Sequence, residues 1–358
     1  MKKSVFILLI IPFVVIAQSC SDNTADQPSP ANPQNPTTID NTWLVPVSEV
    51  LDGGPGKDGI PSVDEPEFTV AQDVDFLNAQ DLVLMVKVGD VVKAYPHPIL
   101  DWHEIVNDEI GGKKMAITYC PLTGTGIAWN RVLNGSETTF GVSGLLYNTN
   151  LMPYDRLTNS TWSQQRLDCV NGQFRGQFAE TYSLVETTFE TMKKAYPQGL
   201  VLNTNTGFNR SYGRYPYGDY RTNDERLVFP ISKEDRRLDL KERTLGVLLP
   251  GGEKKVYGFT GHSADPFIIE DQLGDTKLVV VGSKSANYLI AYETGDRQLS
   301  LLPDAYPAIL QDQSGIKYDL LGHPVDNAMQ PLLSLPRQFI GYWFSWGAFY
   351  PDIPLYSN

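Results

Sequence analysis

Two stretches of the chain share one pattern of apolar and polar positions. Val83 to Tyr95 reads VLMVKVGDVVKAY and Leu245 to Tyr257 reads LGVLLPGGEKKVY. Each is an apolar run, a Gly-containing turn, a lysine and a second run ending in tyrosine, which predicts two β-hairpins. The likeness continues downstream. Val106 to Gly111 (VNDEIG) matches Ile269 to Gly274 (IEDQLG), and each leads into a β-rich run, Ala116 to Tyr119 and Leu278 to Val281. Ile127-Ala128-Trp129 then matches Ile290-Ala291-Tyr292. Both halves end in apolar residues at helical spacing: Val185, Phe189, Met192 and Tyr196 in the first, Phe339, Trp343, Trp346 and Tyr350 in the second. Such spacing puts four large side chains on one helix face, and burying each is worth about 1.5 to 3 kcal/mol. Core packing, not a cofactor box, is the expected role of these aromatics. Ser183 with Glu186 has the pattern of a capping box, and Pro197 and Pro351 stand just beyond the stripes.

This pattern predicts a mixed α+β, β-rich fold of two pseudo-symmetric β repeats, each closed by a C-terminal helix. The expected organisation is a signal peptide over 1–19, a lipidated cysteine and disordered tether over 20–42, an N-terminal extension of the domain over 43–81, repeat 1 over 82–197, a Tyr-rich connector over 198–242 and repeat 2 over 243–358. The connector carries Tyr212, Tyr215, Tyr217 and Tyr220, suited to wrapping the surface or lining a groove. Asn134-Gly135 is a hairpin turn signal.

The N-terminus fixes the expected location. Lys2 and Lys3 precede an apolar run from Val5 to Ala17, short for a membrane span, and Ser19 stands before Cys20. That order suits a lipoprotein signal peptidase, which leaves Cys20 as a diacylated N-terminus. Ser21 to Thr42 is almost devoid of apolar residues and reads as a leash with an r.m.s. reach of about 25 Å. The expected product is an exported, membrane-anchored lipoprotein of the cell envelope, in the outer membrane on its periplasmic face or at the cell surface. Charge excludes another class of partner: 29 Lys and Arg against 42 Asp and Glu give −13, which disfavours nucleic acid.

A doubled sequence supplies its own control, because groups present in one copy only are candidates for chemistry. YPHPILDWHEIVND in the first copy faces YGFTGHSADPFIIED in the second, so His97 and His103 belong to the first alone. Cys120, in TYCPLTGTG, faces VVVGSKSAN, and the polar block YDRLTNSTWSQQ at 154–165 faces a degraded QDQSGIKYDLL. His262 and His323, in loops of the second copy, are expected to be structural or on the surface.

AYPHPILDWHEIVND, TYCPLTGTG, FGVSGLLYNTNLMPYDRLTNSTWSQ and the terminal YWFSWGAFYPD resemble the DUF3179 family, a domain of unknown function; DGIPSVDEPEF at Asp58 to Phe68 fits its opening motif. The resemblance spans about 45 to 356 and implies no particular activity. Many members of that family carry a second cysteine three after the first; Thr123 stands there in this chain, which puts a CxxC redox pair or a two-thiolate metal site in doubt.

Several chemistries remain open for the first-copy residues. Cys120 can be a nucleophile if an imidazole such as His103 takes its proton, with Asp101 or Glu104 orienting that ring. His97, His103 and Cys120 can instead ligate copper or zinc, which accept imidazole and thiolate together. A third possibility is a Cys120–Cys169 disulfide. Asp155, Arg156, Thr158, Ser160 and Gln164 concentrate acceptors, donors and one guanidinium beside Trp162, so Arg156 can clamp an anionic substrate or pair with a neighbouring carboxylate. The candidate site therefore comprises Cys120, His103, Asp155, Arg156 and Ser160 as catalytic groups, with Trp162, Gln164 and Trp102 binding substrate. The expected ligand is a small molecule or metal. The alternative is a non-catalytic module that holds a glycan or peptide on Trp162 and the connector tyrosines.

Overall fold

In the computed structural model, which describes residues 42–357 other than 328, strand pairing dominates: 40% of the described residues are in strands and 10% in helices. Short strands β1 (Val50–Asp52) and β2 (Phe68–Val70) lead to the hairpin β3 (Leu82–Val88) and β4 (Val91–Pro96). Gly89, at φ 57°, supplies the left-handed position that a two-residue hairpin turn needs. The unbroken apolar run of β3 is buried on both faces. Its Val83 and Met85 enter a core shared with second-half residues such as Val279 and Tyr292, while Leu84 and Val86 enter one built around Tyr95 and Ile117.

Helix α1 (His97–His103) follows at once. Pro98 in its first turn lacks an N–H that the helix would leave unpaired anyway, and Ile99 and Leu100 bury one face. Glu104 ends it in the left-handed conformation, φ 58° and ψ −28°. Then come the meander β5 (Ile105–Ile110), β6 (Lys113–Cys120) and β7 (Thr125–Asn130), and the miniature hairpin β8 (Val132–Leu133) and β9 (Ser136–Glu137). Asn134 and Gly135, both at positive φ, turn that hairpin as their sequence predicts. Strands β10 (Phe140–Tyr147), β11 (Asn150–Asp155), β12 (Thr161–Ser163) and β13 (Asp168–Asn171) form a sheet with β1 at its edge. After β14 (Thr181–Tyr182), which pairs with β7, β15 (Val185–Thr188) returns to β3, α2 (Phe189–Ala195) follows, and β16 (Leu200–Leu202) joins β4.

The second half runs β17 (Arg243–Leu248), β18 (Lys254–Gly258), β19 (Phe267–Leu273), β20 (Thr276–Ser283), β21 (Tyr288–Glu293), β22 (Leu299–Leu301), β23 (Ala308–Asp312), β24 (Lys317–Asp319), β25 (Arg337–Tyr342) and α3 (Trp343–Phe349). Its sheets are ordered β18-β17-β25, β19-β20-β21 and β22-β23-β24. In each half the last strand before the final helix pairs with the first strand of the hairpin, β15 with β3 and β25 with β17. Both halves lie within one compact unit, Asp40–Asn358.

The closing helices are shorter than the apolar stripes predict. Val185 and Phe339 are strand residues, paired with Met85 and Gly246, because the ladder to the hairpin satisfies their backbone before the helix begins. Thr188, not Ser183, caps α2, its hydroxyl accepting the Thr191 N–H. Glu186, the other half of the expected capping box, is a buried strand residue facing Arg243 and His97.

Candidate functional site

Strand β6 delivers Cys120 to the floor of a cavity of about 320 Å³, and α1 delivers Asp101, Trp102 and Glu104 to the same space. Leu122, Val142 and Leu151 supply apolar wall, the segment Gly53 to Ile60 another side, and Tyr217 and Phe229 of the connector a third. Asp101 and Trp102 come from the last turn of the helix, and Glu104 from the left-handed residue that ends it.

Polar groups are few here, and burial acts on both acids and on the thiol. Glu104 is almost wholly buried, and its Oε1 accepts only a long bond from the Tyr217 hydroxyl, 3.3 Å. Burial, with Asp101 nearby, pushes its carboxyl up to about 8, so near neutral pH it is largely protonated and able to exchange that proton. Asp101 accepts from Arg221 at Oδ2, 2.6 Å, and the Arg221 guanidinium lies 3.6 Å from the Tyr215 ring centre. Burial raises its pKa too, against the pull of Arg221. Its Oδ1 is buried with no hydrogen-bond partner. The Cys120 sulfur accepts the Leu151 N–H at 3.4 Å and faces the Thr149 carbonyl at 3.7 Å. Burial and the charge of Glu104 push this thiol up to about 11, so it is protonated and not a ready nucleophile.

The connector tyrosines fasten this region. Tyr220 and Tyr215 donate to the carbonyls of Leu122 and Pro121 in the turn after Cys120, at 2.8 and 3.2 Å. Tyr212 donates to His103 Nε2 at 2.6 Å, since Nδ1–H is committed to the Pro61 carbonyl at 2.8 Å. His103 is therefore a neutral imidazole, and its burial lowers its pKa.

The expected site residues do not form one constellation. Cys120 and Trp102 share the cavity; His103, Asp155, Arg156, Ser160, Trp162 and Gln164 do not line it. Asp155 is fully buried and accepts from Thr158 N–H, at 2.7 Å, and from the indole N–H of Trp162, at 3.0 Å. Ser160 bonds the Thr158 hydroxyl at 2.7 Å, completing a self-contained turn. Trp162 is wholly buried and offers no face to a glycan. Arg156 faces Asp64 at 3.1 Å and Asp58 at 3.3 Å and donates to Ser62, so neighbouring carboxylates, not a substrate, hold it. Gln164 bonds Thr118, Thr125 and Asn150 inside the core.

The metal set does not converge either. His97 Nε2 stands 3.2 Å from Glu186, its ring against Tyr119, and Cys120 has no imidazole partner. Among the described residues no three His, Cys, Asp or Glu side chains stand together to hold a metal ion. Cys120 and Cys169 are separate free thiols, which corrects the disulfide possibility; Cys169 points to the carbonyls of Thr161 and Asn171. Cys20 and the N-terminal signal lie outside the described residues. No helix among the described residues is long and apolar enough to cross a membrane.

The residues the sequence reading undervalued are Asp101 and Glu104, first considered only as orienting groups, and Tyr217. The i, i+3 carboxyl pair in DWHE is the signal that could have promoted them.

Fold and cavity together describe a β-rich protein with a largely apolar pocket whose lining includes two buried acids, a thiol and Arg210. The chain belongs to the family described as Protein of unknown function (DUF3179), whose model matches residues 57–353. No curated protein and no solved structure matches it.

Proposed function

We propose that this is a cell-envelope protein whose first half binds a small, largely apolar molecule in the Cys120 cavity, with Glu104 as the group that can exchange a proton with it. The observation that carries this reading is the meeting of Asp101, Glu104 and Cys120 in an apolar space of about 320 Å³, a size suited to a small ligand. If the site is enzymatic, acid–base chemistry at Glu104 fits better than thiolate attack or metal chemistry, because the thiol is held protonated and the imidazoles are engaged elsewhere. Titration with the neutral apolar dye N-phenyl-1-naphthylamine tests it. Saturable fluorescence should appear, slow the alkylation of Cys120 and leave that of Cys169 unchanged in site-resolved mass spectrometry. A dye signal that survives Val142→Trp and leaves Cys120 alkylation unaltered would count against the cavity.

Two wider proposals accompany this one. Lys2, Lys3, the run from Val5 to Ala17 and Cys20 support export and lipid anchoring, in the outer membrane; labelled palmitate should enter the wild type and not Cys20→Ala. The duplication of the two halves is supported by their shared strand order and by one polar lock found in each. Lys93 and Tyr95 both bond Asp108, at 2.8 and 2.6 Å, while Lys255 and Tyr257 both bond Asp271, each at 2.8 Å. Superposition of experimental coordinates of the two halves checks it.

A further inference from the structure

The connector brings charge to a wall that is otherwise apolar or neutralised. Arg210 lines the cavity, half-buried, and among the described residues it is the one basic side chain on that wall. Its hydrogen bond is a long one, from Nη1 to the carbonyl of its own neighbour Asn209 at 3.3 Å, and among the described residues no carboxylate pairs with it. Most of the N–H donors of the guanidinium are therefore free. The two acids on the wall do not claim them. Asp101 is held at Oδ2 by Arg221, 2.6 Å, and its Oδ1 is sealed from solvent. Burial pushes Glu104 up to about 8, so near neutral pH its carboxyl is largely uncharged and can donate as well as accept. The local balance of charge is thus positive, although the chain as a whole carries −13. Ile60, Leu122, Val142, Leu151 and Phe229 supply apolar surface beside it. A phosphate dianion would find a single free cation here, whereas a carboxylate matches the planar guanidinium fork with both oxygens.

Resting on the reading of this cavity as a ligand site, we infer that it takes a small monocarboxylic acid: an apolar body seated over Cys120, with its carboxylate on the Arg210 guanidinium. Arg214 follows in the same segment, where its carbonyl accepts the Trp102 indole N–H at 3.0 Å, but its side chain is not part of the wall. It serves as the control, a like charge close in sequence that does not line the space.

The test is calorimetric titration of the full chain, below the pKa of Glu104, with 3-phenylpropionate, 3-phenylpropan-1-ol and 3-phenylpropan-1-amine, which share a skeleton and differ in the polar head. The acid should bind about tenfold tighter than the alcohol, with the amine weakest, and it should displace the naphthylamine dye. Arg210→Gln should bring the acid to within about threefold of the alcohol while the alcohol keeps its own affinity, and Arg210→Lys should restore part of the preference. Arg214→Gln should change neither ligand. Equal weakening of acid and alcohol in Arg210→Gln would make Arg210 a wall residue only, and overturns the inference. An acid preference that survives Arg210→Gln, that is lost in Arg214→Gln, or that leaves the dye bound overturns it as well. If the dye binds and shields Cys120 while the acid has no advantage, the inference falls and the ligand site stands. If neither the dye nor any phenyl compound binds, both fall.

Discussion

The two halves solve the same structural problem and then part at one loop. Each hairpin places a lysine and a tyrosine on an aspartate of the next strand, and that aspartate accepts the N–H of its own neighbour, Glu109 at 2.7 Å in the first half and Gln272 at 2.8 Å in the second. Counting from these aspartates along the paired strands puts Ser283 where Cys120 stands, two residues from Val281, which the match of TYCPLTGTG with VVVGSKSAN suggests. Between hairpin and meander, however, 97–104 forms α1 and its cap, whereas 259–266 only bends, interrupted by Gly261 at φ 87°. Ser283 turns its hydroxyl to the Ala286 N–H, while Cys120 looks into a cavity. The strands run alike in the two halves, and the loop that forms a helix in the first supplies the acids.

The largest expected effect lies where the halves meet. Burial alone would push Glu186 up, but Arg243 and His97 hold it at about 2, and Asn287 bonds it from the second half. Arg243→Met leaves that carboxylate without its main partner and should cost about 3 to 5 kcal/mol in urea unfolding, with much of the loss recovered by adding Glu186→Gln. Equal stability of the single variant and the wild type would show that the junction does not depend on this pair.

Next comes the loop itself. The folded pKa of Glu104, about 8, lies above its unfolded value, so the folded state binds the proton more tightly and stability declines as pH rises from about 4.5 to 8. Glu104→Gln, which keeps an acceptor for Tyr217, should gain about 2 to 4 kcal/mol over the wild type at pH 9 and little at pH 4. A gain independent of pH would mean that the carboxyl is not held neutral. His103 has the opposite sign: its lowered pKa costs stability as pH falls below about 6.5.

The locks should respond as sisters. Asp108→Asn and Asp271→Asn are each expected to cost about 1 to 3 kcal/mol, the former more because its carboxylate is better buried, as chemical denaturation of the two variants can measure. The smallest effect is expected from Cys120→Ser, which installs the second half's residue in the first. About 1 kcal/mol or less should be lost, since a hydroxyl can still face the Thr149 carbonyl.

Hairpins, meanders and the Asn134-Gly135 turn were legible because apolar alternation and turn chemistry are local. The two apolar stripes each contain a helix but run longer than it, since Val185 obeys a strand ladder whose partner lies far off at Met85. Composition could flag the first-half residues as unusual without saying what they touch. Arg156 and His103 look like chemistry in one dimension; in three, Arg156 holds Asp58, Ser62 and Asp64, and His103 holds Pro61. Cys120 was identified from its absence in the corresponding stretch of the second half, but its protonation depends on burial that no spacing encodes.

Those fasteners have a mechanical meaning. The chain enters the fold beside β13, where Asn171 bonds the Thr42 carbonyl and Leu44 bonds Val170, and within a few residues its path becomes the Gly53 to Ile60 wall of the cavity. Any pull transmitted from the N-terminal side is therefore borne first by these bonds to β13 and by the pairing of β1 with β10, and the strip that screens the pocket follows directly behind them. A chain shortened past Asp64 would keep every strand of the two hairpins and lose that screen.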